Sequence, residues 1–247
     1  MDSAHGVWHY PVMLARTPEH ALQYRRLRET VILFTLFVVP GLTSSTPIAQ
    51  VVGAVAPLTA LTIRNIAFAL LILYLLDIQG ERQLVLHRRS EGEAFPLGIM
   101  VRVFGVLLGV SVAVSVVSSV ISGTESAVGT HAIIPALRDR YSPVVWVPII
   151  TVAMVSVGIA EELLFRGYFI TRFQQLGRST RSAVLISAAL FSIGHGYQGV
   201  AALVFSFLAG SILGVLWVKR PHLGAFAAGH AVYNLAALAL SMWYSSS

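Results

Sequence analysis

Cysteine is absent from the 247-residue chain. That excludes disulfides, a thiolate nucleophile, Cys-ligated zinc, and prenylation or palmitoylation of the chain itself, so any chemistry falls to oxygen and nitrogen. Charge is scarce too. Only 11% of residues are charged, where a soluble domain carries about 25%. Hydrophobic residues make up 56% of the chain and the mean hydropathy is +0.76, more apolar surface than a water-soluble sphere of this size can hide. A bilayer span takes about 20 apolar residues, so the expected fold is an all-α, polytopic membrane bundle of about seven helices. The net charge of +6 is no nucleic-acid footprint, because the basic residues lie in short loops between apolar runs, where they set topology.

A charge is seldom left at lipid depth, so the charges mark the span boundaries. No charge occurs between Glu29 and Arg64. That stretch exceeds one span and is interrupted by Pro40, Thr43 to Thr46 and Pro47, which predicts a helix over about 30–48 and a second over about 55–76. Further helices are expected over about 95–121, 144–173, 182–195, 200–218 and 223–243, the fifth and sixth separated by the Gly194-His195-Gly196-Tyr197-Gln198-Gly199 segment. Residues 1–29 read as a cytoplasmic N-terminal segment and 30–247 as one transmembrane domain, with a catalytic core at about 145–240. Residues 1–28 are too polar for the apolar core of a cleaved signal, so the first span is expected to stay as an anchor.

Under this threading Arg16, Arg25, Arg26, Arg28, Arg82, Arg88, Arg89, Arg172, Arg178, Arg181, Lys219 and Arg220 fall on one side, and only Arg138 and Arg140 on the other. The positive-inside rule then expects a cytoplasmic N-terminus and an external C-terminus, in a cell inner membrane. Gly210 and Gly214, four apart, should let the sixth helix pack closely on a neighbour.

Several polar residues do not belong in lipid: Arg64, Arg102, Glu161, Glu162, Arg166, His195, His230 and Asn234. Glu162 and Arg166 are spaced i,i+4 in the order that favours an ion pair, and the plainer reading of that pair is structural. Glu161 is rotated about 100° from its neighbour, which leaves it as the free carboxylate. His195 lies four residues after Phe191 at a Gly-flanked helix end, and His230 and Asn234 are four apart on the seventh helix. His222 reads as an interface residue, and His5, His9, His20, His87 and His131 show no usable spacing. A carboxylate, two imidazoles and an amide suffice for hydrolysis: Glu161 takes a proton from water, His195 positions that water, and His230 with Asn234 donates to the oxyanion. Glu161, His195 and His230 also form an acceptable zinc set with one open position, so the reading favours no cofactor while keeping zinc open.

Three motifs carry a resemblance. Glu161-Glu162-Leu163-Leu164-Phe165-Arg166, Phe191-Ser192-Ile193-Gly194-His195 and His230-Ala231-Val232-Tyr233-Asn234 resemble the E-E-x-x-x-R, F-x-x-x-H and H-x-x-x-N motifs of the CAAX-protease and bacteriocin-processing family, also called the abortive-infection family, in the same order. The resemblance implies an intramembrane endopeptidase related to the type II CAAX prenyl protease, which removes the last three residues of a prenylated C-terminus. It assigns Glu161 the general-base role, His195 water activation, His230 and Asn234 the oxyanion, and Glu162 and Arg166 support. The implied partners are membrane lipid and a peptide or protein substrate, lipidated or not, with no nucleic acid. Two other functions use similar groups. A non-catalytic immunity or scaffold protein of the same fold need not retain all four polar residues, and a proton-coupled transporter should show repeated halves, of which the sequence has no sign.

Overall fold

A computed structural model describes residues 18–43, 55–86, 95–122 and 140–244. The described residues are helical throughout their long elements, as α1 (Pro18–Thr43), α2 (Val55–Ile78), α3 (Leu97–Ser122), α4 (Pro143–Glu161, continuing to Gln175), α5 (Thr180–His195), α6 (Val200–Lys219) and α7 (Leu223–Tyr244). Short 3₁₀ turns at Arg82–Leu84 and Gly196–Gln198 follow α2 and α5. The expected polytopic all-helical bundle is therefore present. Five helices, α2, α3, α4, α6 and α7, are long and apolar enough to cross a bilayer. The other two fall short for different reasons: α1 carries charges along its first half, and α5 has 16 residues, about 24 Å at 1.5 Å per residue.

The first helix differs from the expectation of 30–48. It begins at Pro18 and ends at Thr43, because a helix need not stop where apolar sequence stops. Its polar first half is held by an Arg25 to Glu29 ion pair one turn apart (3.6 Å) and by Arg26 reaching Glu81 beyond α2 (2.8 Å). The expected break at Ser44 to Pro47 lies outside the described residues.

Small residues set the closest approaches. A Cβ on Gly210 would stand 3.2 Å from Ala188, and one on Gly214 would stand 2.7 Å from Val184, so the small pair of α6 seats this helix on α5. Gly158 of α4 faces the Ala227 carbonyl of α7, 2.7 Å from where its Cβ would be, and Gly229 of α7 faces the Met100 carbonyl of α3 at 2.6 Å. The seventh helix is thereby held between α4 and α3 at backbone distance. Aromatic rings fill the interior: Phe165 meets Phe37, Phe169 and Phe191 edge-on with centroids 4.9 to 5.5 Å apart. Large apolar side chains such as Leu70, Val112, Val116, Ile212 and Leu240 point outward, as a protein solvated by lipid requires.

The basic end of the bundle carries a polar cluster that the sequence reading did not anticipate. Arg172, counted there as a loop residue that sets topology, is 1% exposed. It donates to Glu81 (2.5 Å), Gln175 (2.6 Å) and Gln79 (2.8 Å), and its guanidinium lies over the Tyr168 ring at 4.7 Å. Glu81 also accepts from Arg26 and Gln175. Burial disfavours the Glu81 carboxylate, but the hydrogen bonds and charges of Arg172 and Arg26 outweigh burial and hold its pKa below the ordinary value. The cluster ties together the ends of α1, α2 and α4.

Candidate active site

The fourth helix changes its winding where the site begins. From Glu162 to Phe169 it is π-helical, and all eight residues are buried. Such a widened turn is uncommon and clusters at functional positions. Gly167 lies in this turn against the side chain of Val85, into which a Cβ would run. Hydropathy carries no signal for the i→i+5 bonding.

Glu161 and Glu162 both reach His230 of α7, from opposite sides of its ring. The Nδ1–H of His230 donates to Glu162 Oε1 at 2.8 Å, while Nε2 stands 3.6 Å from Glu161 Oε2. This sandwich depends on the close α4 to α7 approach at Gly158, one turn before Glu162. The other carboxylate oxygen of Glu161 lies 3.9 Å from Nε2 of His195. His195 is fixed at the last residue of α5, where its Nδ1–H donates to the Phe191 carbonyl at 2.8 Å. The F-x-x-x-H spacing thus has a physical role, since the backbone one turn back orients the imidazole, and the Phe191 ring lies 4.5 Å from it.

Glu162 is fully buried and pairs with Arg166 at 3.1 Å, while the Arg166 guanidinium covers the Phe191 ring at 4.7 Å. Glu161 has no such cation, so the spacing argument divides the two carboxylates as the structure does. Arg166 Nη1 and Nη2 and Glu162 Oε2 are buried with no aligned hydrogen bond among the described residues. Asn234, one turn beyond His230, is half-buried and engages no other described side chain. The structure therefore brings Glu161, Glu162, Arg166, His195 and His230 into one contiguous group, with Asn234 at its border. The sequence reading missed the Glu162 to His230 bond, which links residues 68 apart.

The arrangement suits proton transfer. Both Nδ1 atoms are occupied as donors, which leaves both Nε2 atoms turned to one carboxylate. A water between Glu161 and either ring would be within hydrogen-bond reach of base and orienting group together. The same oxygen and nitrogen donors match zinc in kind. Two ligands at 2.0–2.1 Å from a tetrahedral zinc lie about 3.3–3.4 Å apart, closer than the spacings above, and no three His, Asp or Glu among the described residues gather closely enough to hold a metal ion.

Residues 143–236 match the family model described as type II CAAX prenyl endopeptidase Rce1-like. No curated protein and no solved structure gives a match. The matched segment runs from the start of α4 into α7 and contains all six site residues, so the resemblance read from the three motifs holds over it. At family level this is a segment of a CAAX-type intramembrane protease, in an integral membrane bundle.

Proposed function

We propose that the protein is an intramembrane endopeptidase in which Glu161 is the general base. The observation that carries this reading is one buried carboxylate facing Nε2 of two imidazoles at 3.6 and 3.9 Å, each imidazole held through its Nδ1. Glu161 accepts a proton from a water that His195 orients, and the hydroxide adds to the scissile carbonyl. The resulting oxyanion takes hydrogen bonds from the Asn234 amide and from His230 when that ring carries both protons. With Nδ1 committed to Glu162, Nε2 of His230 donates only in the imidazolium form; otherwise it accepts. Collapse of the tetrahedral intermediate breaks the C–N bond, and the proton held by Glu161 passes to the leaving nitrogen. No metal is needed in this scheme.

The substrate we propose is a peptide segment presented at the membrane by a lipid or an apolar anchor. A cavity of about 280 Å³ supports this, lined by Leu86, Ile159, His222, Leu223, Gly224 and Ala227 along the seam of α4 and α7. It is apolar and lies beside the site at the basic end of the bundle. The Lys/Arg distribution places that end in the cytoplasm in this proposal, which reporter fusions at residue 80 and at the C-terminus test. Proteolysis of a library of farnesylated and unmodified peptides by the purified protein tests the activity, with wild type compared with Glu161→Gln and each run with and without chelator. Cleavage that Glu161→Gln retains would overturn the assignment, and cleavage lost to chelator would overturn the metal-free scheme.

A further inference from the structure

Four arginines lie deep in the described bundle, and three of them face glutamates: Arg26 with Glu81, Arg166 with Glu162, and Arg172 with Glu81 and Glu29. Arg64 does not. It sits nine residues into α2 from Val55, half-buried, and its one hydrogen bond is from Nη2 to the Asn65 side-chain oxygen at 3.3 Å. A guanidinium at this depth without a counter-charge costs several kcal/mol on insertion scales unless something completes it. Arg102 offers no parallel, because it is exposed and five residues from the basic end of α3, within reach of the surface.

The position of Arg64 is fixed by the helix that carries the candidate base. Asn65, 3% exposed, donates to Ser156 Oγ of α4 at 3.3 Å, and Ser156 donates to the Ala153 carbonyl at 2.7 Å. This chain of bonds points its acceptor ends toward Arg64 and anchors the guanidinium to α4. The two helices run in the same direction, since Leu58 packs on Ile150 and Ala153, Asn65 meets Ser156, and Gln79 meets Arg172. Arg64 is therefore about six residues, or roughly 9 Å, from the level of Glu161 toward the end away from the basic loops. Around α2, the outward stripe is Ile63, Ile66, Leu70 and Tyr74. Arg64 lies at the edge of that stripe, on the flank of Phe68. This flank faces Phe37 of α1, which in turn contacts Phe165 beside Phe191 and His195.

We propose that Arg64, positioned by Asn65 and Ser156, binds the free α-carboxylate of a substrate chain whose scissile carbonyl lies at Glu161. This rests on the protease reading above. An extended chain advances about 3.3–3.6 Å per residue, so a distance of roughly 9 Å corresponds to a C-terminus two to four residues beyond the cleaved bond. Arg64 thus supplies a ruler: the carboxylate is both counter-ion to a cation that the protein leaves unpaired and the mark from which cleavage is measured. An acidic side chain in an interior segment would present the same charge with the chain continuing past it, and the test separates the two.

The test uses full-length Glu161→Gln protein in nanodiscs and a fluorescent farnesylated peptide with four residues after its lipidated position. The peptide is prepared with a free C-terminal carboxylate, as the C-terminal amide, and as an amide with glutamate in last place. The free acid should bind about tenfold to a hundredfold more tightly than the amide, and the glutamate amide should match the plain amide. Arg64→Gln should erase the difference while leaving amide binding unchanged, and Arg64→Lys should keep part of it. Equal binding of acid and amide, a preference that survives Arg64→Gln, or no binding of any of the three overturns the inference. An Arg64-dependent preference in a wild-type protein that cleaves none of these peptides would leave the subsite standing and overturn the protease reading instead.

Discussion

Two clusters of arginine and glutamate sit on α4, six residues apart, and they are built to opposite ends. At the basic end, Arg172 shares Glu81 with Arg26 and adds Gln79 and Gln175; both carboxylate oxygens of Glu81 are taken by cations. At the depth of Arg166, Glu162 is held by a cation and an imidazole, while its neighbour Glu161 faces two imidazoles and no arginine. Three polar atoms of the Glu162 to Arg166 pair are buried without an aligned partner. A closed network fastens helices. An open one, with a carboxylate left to share a proton, is the type of arrangement that catalysis uses.

Two substitutions should break this contrast most strongly. Glu161→Gln should lower turnover of a cleaved peptide by about 10²- to 10⁴-fold, the range for one general acid or base, with the melting temperature unchanged because no ion pair is lost. Glu162→Gln should fail in both respects. It leaves Arg166 buried with no counter-charge, a change that costs about 3–5 kcal/mol, and it releases Nδ1 of His230. Kinetics and thermal unfolding of the two variants in one detergent decide this, and equal loss of melting temperature in both would remove the distinction.

The contrast was half legible in the sequence. The i,i+4 spacing of Glu162 and Arg166 gave that pair, and its phase excluded Glu161 from it. Charge-free runs located α2 to α7 to within a few residues because hydropathy reports burial in lipid directly. They could not place the start of α1, since the helix continues past the apolar stretch on ion pairs to residues far along the chain. The π-turn was invisible for a related reason: an extra residue in one turn leaves composition unchanged. Arg172 was misread because an arginine near a span end looks the same whether it meets water or a glutamate from another helix. Glu81 and Gln79, polar residues directly after α2, were the available hint. Asn65, polar and next to an arginine inside an apolar run, was another.

A substitution that touches neither cluster sharpens the comparison. Gly158→Ala places a Cβ 2.7 Å from the Ala227 carbonyl, backbone that cannot rotate away, so α7 must move from α4. Overpacking of this type costs about 1–3 kcal/mol. The His230 to Glu162 bond lies one turn away and should lengthen, so activity should fall further than stability alone explains. The Arg172 cluster should be unaffected. Activity lost only in proportion to the fraction unfolded would mean that this seam does not set the site.

The smallest effect is expected at the closed cluster and appears as a pH dependence. The folded-state pKa of Glu81 is lowered by Arg172 and Arg26 against the opposing effect of burial, so the folded protein holds the carboxylate in its charged form more strongly than the unfolded chain does. The stabilisation is then fully present above the ordinary glutamate value of about 4.3 and is lost as pH falls through the lowered folded value. Glu81→Gln should therefore lower the melting temperature at neutral pH and leave turnover per folded molecule unchanged. The gap between wild type and variant should narrow below about pH 4, where both carry a neutral side chain. A gap constant with pH would mean that the contribution of Glu81 is packing and not charge. A loss of turnover at constant folded fraction would mean that the two clusters on α4 are coupled, and that the closed one helps to set the geometry of the open one.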